Sequence, residues 1–224
     1  MAAGRMPVFV AGASVAAART RVKICGVTTP SDARAAAAAG ADAVGINFHP
    51  PSPRAVGPMM AAEIAAALPP FVAAVGVFVD PDVDRVRRIL DRVRLDALQF
   101  SGHESAEFCR AFGLAYIKMA GMAPGFDFAA FEARYPDAQA FLLDAHDDEL
   151  AGGTGRPFDW STWPDSDRHL ILAGGLGPDN VAKAIAATRP YAVDVASGVE
   201  GDVKGRKDAA LVRRFVAEAR RAQV

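Results

Sequence analysis

The chain has 224 residues, 51% hydrophobic and 23% charged, so it carries enough apolar material for a sizeable core and is not a disordered polypeptide. A net charge of −1 leaves no global basic field for nucleic acid or an anionic membrane, and no apolar run reaches the ~18–20 residues of a membrane span. Two cysteines, Cys25 and Cys109, exclude a disulfide scaffold and a four-cysteine zinc site, and they fit a reducing compartment, the cytoplasm.

Met1 to Ser31 contains no acidic residue, and Arg5 precedes the small, apolar stretch Met6–Ala18. A secretory signal or transit peptide shares that charge pattern. Ala and Gly dilute its apolar core, however, so residues 1–21 read as a poorly ordered extension before a single domain over 22–224. Short apolar runs then alternate with Ala-rich, charge-bearing segments. Val22–Cys25 reads as a strand, followed by a helix Pro30–Ala39 with Thr29 as cap and Gly40 as stop. Ala43–Asn47 is the second strand; a Pro-rich loop from His49 to Pro58 leads into a helix ending at Leu68. Phe71–Val79 has little polar alternation, as a parallel strand covered on both faces should read, and Asp80-Pro81 caps a helix through Val93. Further strand and helix pairs are Ala97–Phe100 with Glu104–Phe112, and Ala115–Met119 with Phe128–Tyr135. Ala140–Asp144 precedes a long Gly-rich loop and a weak helix near Trp160–Trp163. The chain closes with His169–Ala173 and a helix Pro178–Thr188, then Ala192–Val195 and a helix Asp208–Arg220.

About eight β/α units in this length point to a closed, parallel (β/α)₈ TIM barrel, with an open doubly wound sheet as the alternative that periodicity cannot separate. In a barrel the site lies in the loops at the C-terminal strand ends. Two glycine loops fall there, Gly174-Gly175 after the seventh strand and Ser197-Gly198 after the eighth. Together they form a candidate phosphate cradle built from backbone N–H groups. Cys25 and Asp144 end the first and sixth strands; each alone reads as core or cap, but across one barrel mouth they read as a base and an acid. Cys109 sits at an apolar helical position and reads as core. The four histidines show no metal-ligand spacing, and Asp147-Asp148-Glu149 reads as a solvated loop, so no metal is expected. Trp160 and Trp163 read as packing anchors.

Lys23-Ile24-Cys25-Gly26-Val27-Thr28 resembles the opening signature of the phosphoribosylanthranilate isomerase family of tryptophan biosynthesis. The resemblance continues through Gly40–Gly45, Ser52-Pro53-Arg54, Val75–Phe78, Leu142-Leu143-Asp144, Gly152–Gly155 and Phe158–Trp160. It ends with Leu172–Leu176, Pro178–Val181, Val193–Glu200 and Lys207-Asp208. It implies a (β/α)₈ barrel acting without a cofactor on N-(5-phosphoribosyl)anthranilate, a small phosphosugar, as a monomer or homodimer. It further implies Cys25 as general base, Asp144 as general acid, Arg54 as receiver of the anthranilate carboxylate, and Asp194 near the sugar hydroxyls. Gly174, Gly175, Ser197 and Gly198 would hold the phosphate. The chemistry then requires a protonated Asp144 and an ionised Cys25, the reverse of the free side chains near neutral pH. Asp144 is therefore expected to be raised by desolvation or negative charge, and Cys25 lowered by dipoles or cations. Gln99-Phe100-Ser101-Gly102 departs from the family's Gln-Leu-His-Gly, Asn47 stands for an apolar residue, and Gly201 to Gly205 is slightly long. Two rival readings are a phosphosugar synthase using a strand-end lysine, for which Lys118 is the candidate, and a non-catalytic phosphometabolite-binding barrel.

Overall fold

The computed structural model describes residues 19–145 and 160–222. Eight parallel strands close in chain order. They are β1 Arg21–Cys25, β2 Ala43–Asn47, β3 Ala73–Phe78, β4 Ala97–Phe100, β5 Ala115–Met122, β6 Ala140–Ala145, β7 Leu170–Leu172 and β8 Ala192–Val195. The β8 strand pairs back onto β1, with Lys23 opposite Asp194, which removes the open doubly wound alternative. Around the barrel lie α1 Pro30–Ala39, α2 Pro58–Ala66, α3 Val83–Leu90, α4 Ala106–Arg110, α5 Phe128–Ala133, α6 Val181–Thr188 and α7 Ala209–Arg221. No helix among the described residues is long and apolar enough to cross a membrane.

Local chemistry sets most of the element ends. Thr29 caps α1 by accepting the Asp32 N–H at 3.1 Å, and Asp208 caps α7 by accepting from Ala210 at 2.7 Å and Leu211 at 3.0 Å. Several expected boundaries shift. Arg21 belongs to β1, and Arg19 and Thr20 are tied to the barrel through Asp42 and the Pro190 carbonyl; residues 1–18 lie outside the described residues. The α2 helix stops at Ala66, before Pro69 and Pro70, and β3 begins only at Ala73 because Phe71 takes a left-handed φ of 71° that a strand does not tolerate. Asp82, not Asp80, caps α3, accepting the Arg85 N–H at 2.7 Å. The α6 helix starts after Asn180, three residues later than its Pro178 signal, and Trp160–Thr162 is a 3₁₀ turn. The β5 strand runs on to Met122, and β7 loses His169 and Ala173.

Period-two alternation sorts the strand residues between two buried layers. Ile24, Val44, Ile46, Leu98, Phe100, Tyr116, Leu143, Leu172 and Val193 face outward into the main core beneath the helices, which Cys109 joins. Ala140, Leu142, Ile171, Ala173 and Ala192 fill the barrel interior with Ile117 and Met119. Lys118 is on the outward face. Its ammonium lies 2.9 Å from Glu104 Oε2 and donates to the Gly102 carbonyl at 2.6 Å, while Glu104 accepts the Asp80 N–H at 2.9 Å. Both side chains are buried, so this pair bolts the β3 and β4 loops from outside the barrel. Lys118→Met would leave a buried carboxylate without its cation. A loss of about 3 kcal/mol, read as a melting temperature lower by roughly 6–12 °C, is the expected result, and an unchanged melting curve would show that the pair carries no stability.

Candidate active site

The C-terminal strand ends collect the expected residues. Lys23 and Cys25 are two apart on β1 and share its inward face, since their neighbours Val22 and Ile24 belong to the outer core. Leu142 lies in the interior cluster, so Asp144, two residues on, faces inward as well. The same alternation sends Asp194 inward from β8, where its carboxylate accepts from the Lys23 ammonium at 2.7 Å. Interior side chains of a (β/α)₈ barrel stack in layers drawn from alternate strands. The strand registers place Gly45, Gln99, Leu142 and Asp194 in one layer, Cys25, Val77, Met119 and Ala173 above it, and Asn47, Ser101 and Asp144 at the mouth. A Cβ on Gly45 would lie 2.7 Å from Cys25 Sγ and 3.2 Å from Lys23 Nζ, so thiol and ammonium crowd over one glycine.

Burial, the largest influence on the Cys25 thiol, pushes it above its ordinary value; the Asp194 carboxylate adds to the rise, while Lys23 and Lys207 oppose it. This corrects the expectation of a lowered thiol. The cations are present, but burial and Asp194 outweigh them; Lys23 is itself paired with Asp194, and Lys207 shares the Glu200 carboxylate with Arg54. The sign follows: the thiol is protonated near neutrality and the thiolate appears on the alkaline side. Alkylation by iodoacetamide should therefore climb through a midpoint above the ordinary thiol range. Asp194→Asn, which deletes a neighbouring anion and frees the Lys23 charge, should bring that midpoint down. Cys109 is pushed up to about 12 by burial and does not compete in the labelling. A midpoint unmoved by Asp194→Asn would remove the coupling.

The two glycine loops meet at the β7 and β8 ends. Gly174 and Gly175 hold left-handed φ values of 84° and 62°, and the Asn180 side chain braces their loop. Its Oδ1 accepts the Gly177 N–H at 2.8 Å, and its Nδ2 donates to the Gly175 carbonyl at 2.9 Å. Ser197–Val199 forms a 3₁₀ turn. Among the described residues no hydrogen bond takes the N–H of Gly174, Gly175, Ser197 or Gly198, which leaves four donors at one corner of the mouth.

Arg54 is buried, and its stem lies over Gly26, where a Cβ would come within 2.4 Å of Arg54 Cδ. Its guanidinium already has an internal partner: Nε and Nη2 grip Glu200 at 2.6 and 3.0 Å. At the end of β4 Gln99 Nε2 donates to Ser101 Oγ at 3.1 Å, so the departure at Ser101 is absorbed by a hydrogen bond within the layer stack. Lys118, the rival strand-end lysine, points away from this cavity. Sequence reasoning met Lys23, Asn180, Glu200 and Lys207 only as parts of family motifs and gave none of them a role. Lys23 was detectable by its i, i+2 spacing from Cys25, but the contacts of Asn180, Glu200 and Lys207 arise from loops whose paths carry no periodicity. The Gly152–Gly155 and Phe158-Asp159 motifs fall outside the described residues.

Comparison with known proteins places the chain among relatives of one family. Residues 22–218 match the family model described as N-(5′-phosphoribosyl)anthranilate (PRA) isomerase. The chain is 53% identical over 197 residues to the N-(5′-phosphoribosyl)anthranilate isomerase of Pseudomonas aeruginosa, covering 88% of this chain and 93% of that one. It is 49% identical over 204 residues to that of Hahella chejuensis, covering 91% and 95%. Among solved structures, the phosphoribosyl anthranilate isomerase of Thermotoga maritima superposes with a TM-score of 0.80 at 40% identity, covering 89% of this chain and 98% of that one. A phosphoribosyl anthranilate isomerase in complex with reduced 1-(o-carboxyphenylamino)-1-deoxyribulose 5-phosphate superposes with a TM-score of 0.76 at 39% identity over the same shares.

Proposed function

The chain belongs to the N-(5′-phosphoribosyl)anthranilate isomerase family of tryptophan biosynthesis, and on that premise we propose that Asp144 and Cys25 carry the Amadori rearrangement as general acid and general base. The observation that supports this assignment is topological. Cys25 on β1 and Asp144 on β6 face one barrel mouth, and around its rim β7 and β8, with their glycine loops, lie between them. A phosphorylated sugar anchored at those loops reaches both side chains.

Asp144 protonates the furanose ring oxygen; the C1′–O bond breaks with its electron pair going to that oxygen, and the nitrogen lone pair forms the C=N bond of a Schiff base. Cys25, as thiolate, removes the C2′ proton, and the electron pair left behind becomes the C1′–C2′ double bond of an enolamine. Tautomerisation gives the ketone, so C2′ is oxidised and C1′ reduced within one molecule and no outside oxidant or reductant takes part. Gly174, Gly175, Ser197 and Gly198 hold the phosphate through their N–H groups. Arg54 receives the anthranilate carboxylate on the guanidinium edge that Glu200 does not occupy. Asp194 lies on the wall below Cys25, within its field, and faces the sugar hydroxyls. The outward orientation of Lys118 weighs against a lysine-dependent synthase. Expression in a tryptophan auxotroph lacking only this isomerase tests the reading: growth without tryptophan is expected, and failure of a folded, expressed chain to support it would overturn the assignment. The work is expected to proceed in the cytoplasm, where the monomer or homodimer needs only its small-molecule substrate.

A further inference from the structure

Glu200 belongs to neither the acid–base pair nor the phosphate loops, yet two cations converge on it. Arg54 Nε reaches Oε1 at 2.6 Å, Arg54 Nη2 reaches Oε2 at 3.0 Å, and Lys207 Nζ reaches Oε1 at 3.0 Å. The Arg54, Glu200 and Lys207 side chains are only 9%, 6% and 1% exposed. Lys207 Nζ also donates to the Ala196 carbonyl at 2.9 Å, the residue that leads into Ser197-Gly198. The segment joining Glu200 to Lys207 is a small hairpin, closed by the bridge between those residues and by the Gly201 N–H on the Arg206 carbonyl at 3.2 Å. Thr28 Oγ1 donates to the Gly205 carbonyl at 2.7 Å and pins that hairpin to the loop after β1.

Two buried positive charges share one negative charge. A surplus of that kind is costly out of water unless an anion completes the group. The bidentate grip uses the Nε side of Arg54 and leaves Nη1 without a partner among the described residues. One carboxylate thus orients the fork while its other edge is open to a second.

Resting on the reading of Arg54 as receiver of the substrate carboxylate, we propose that Glu200 and Lys207 are positioning residues. They fix the Arg54 fork and tie it, through the Ala196 carbonyl, to the β8 phosphate loop. The carboxylate end and the phosphoryl end of the substrate are then held by one rigid network, with the span between them set by the Glu200–Lys207 hairpin.

The test uses Arg54→Ala, Glu200→Gln and the double variant of the full chain. Each is assayed with N-(5-phosphoribosyl)anthranilate and with the phosphoribosyl derivative of aniline, which lacks the carboxylate. Glu200→Gln should raise KM for the first substrate roughly tenfold with kcat within about threefold. It should leave kcat/KM for the aniline derivative within about twofold, and add less than about twofold to the KM of Arg54→Ala. Equal losses on both substrates, or fully additive losses in the double variant, would overturn the proposal. An unchanged KM in Arg54→Ala would instead sink the parent reading of Arg54. Lys207→Met runs through the same arms should Glu200→Gln not fold, and Lys207→Arg should recover the native KM, since a guanidinium can still bridge Glu200 and the Ala196 carbonyl.

Discussion

Cys25→Ser and Asp144→Asn should each lower kcat by about 10²–10⁴, the contribution expected of a positioned general base or acid. Both substitutions are near in size to the native side chain, so neither opens a cavity that would confuse the reading. A serine hydroxyl does not ionise in the accessible pH range and cannot take the C2′ proton. An asparagine amide holds no proton that it can give to a ring oxygen. KM should stay within about threefold of native in both, because the phosphate loops and Arg54 are untouched. The pH profile separates the two losses further. Burial and Asp194 hold the thiol above its ordinary value, so the native rate should still be rising on the alkaline side of neutrality. Cys25→Ser should abolish that rise, whereas Asp144→Asn should keep it at a lower level. Steady-state kinetics between about pH 6 and 10, with melting curves as the control, decide the matter. Near-native turnover in either variant would remove that residue from the mechanism.

The barrel was legible because its strands are buried on both faces and its helices are capped by short-range chemistry. Val22–Cys25 is apolar but for Lys23, Ala43–Asn47 is apolar but for its last residue, and Thr29 and Gly40 mark the ends of α1 by groups that act within four residues. Closure was less direct: it depends on β8 pairing with β1 across nearly the whole chain, which only the count of units hinted at. At the site, which end of each strand carries chemistry followed from barrel logic, and that placed Cys25, Asp144, Asp194 and both glycine loops on one rim. Charge matching was not legible. Nothing in the spacing of Arg54, Glu200 and Lys207 says that they meet, because Arg54 and Glu200 are joined through loops, and loop paths are set by tertiary contacts. The same blindness produced the wrong direction for the Cys25 thiol: nearby cations were countable, but the burial and the Asp194 carboxylate that outweigh them were not.

Gly198→Ala should damage the phosphate site without touching a charged group. A Cβ at Gly198 would lie 1.9 Å from the Leu176 carbonyl oxygen, 2.9 Å from the Leu176 carbonyl carbon and 3.1 Å from Gly177 Cα. Every one of those atoms is backbone of the facing glycine loop, so no rotamer change relieves the overlap. The two loops must separate by about 1 Å or more to reach ordinary contact distance, and a displacement of that size at a positioning element can cost roughly 10² in rate. The donors at risk are the N–H groups of Gly174, Gly175, Ser197 and Gly198, whose convergence depends on the close approach of the two loops. kcat/KM should therefore fall about 100-fold, carried mainly by KM, and the inhibition constant for inorganic phosphate should rise in parallel, because that probe touches the cradle and nothing else. Arg54→Ala should weaken the substrate while leaving the phosphate constant in place, so the two variants resolve the two ends of the ligand. A Gly198→Ala protein that folds and still binds inorganic phosphate as tightly as the native chain would show that the anion sits elsewhere, and the β7–β8 corner would lose its role as the anchor from which Cys25 and Asp144 reach the sugar.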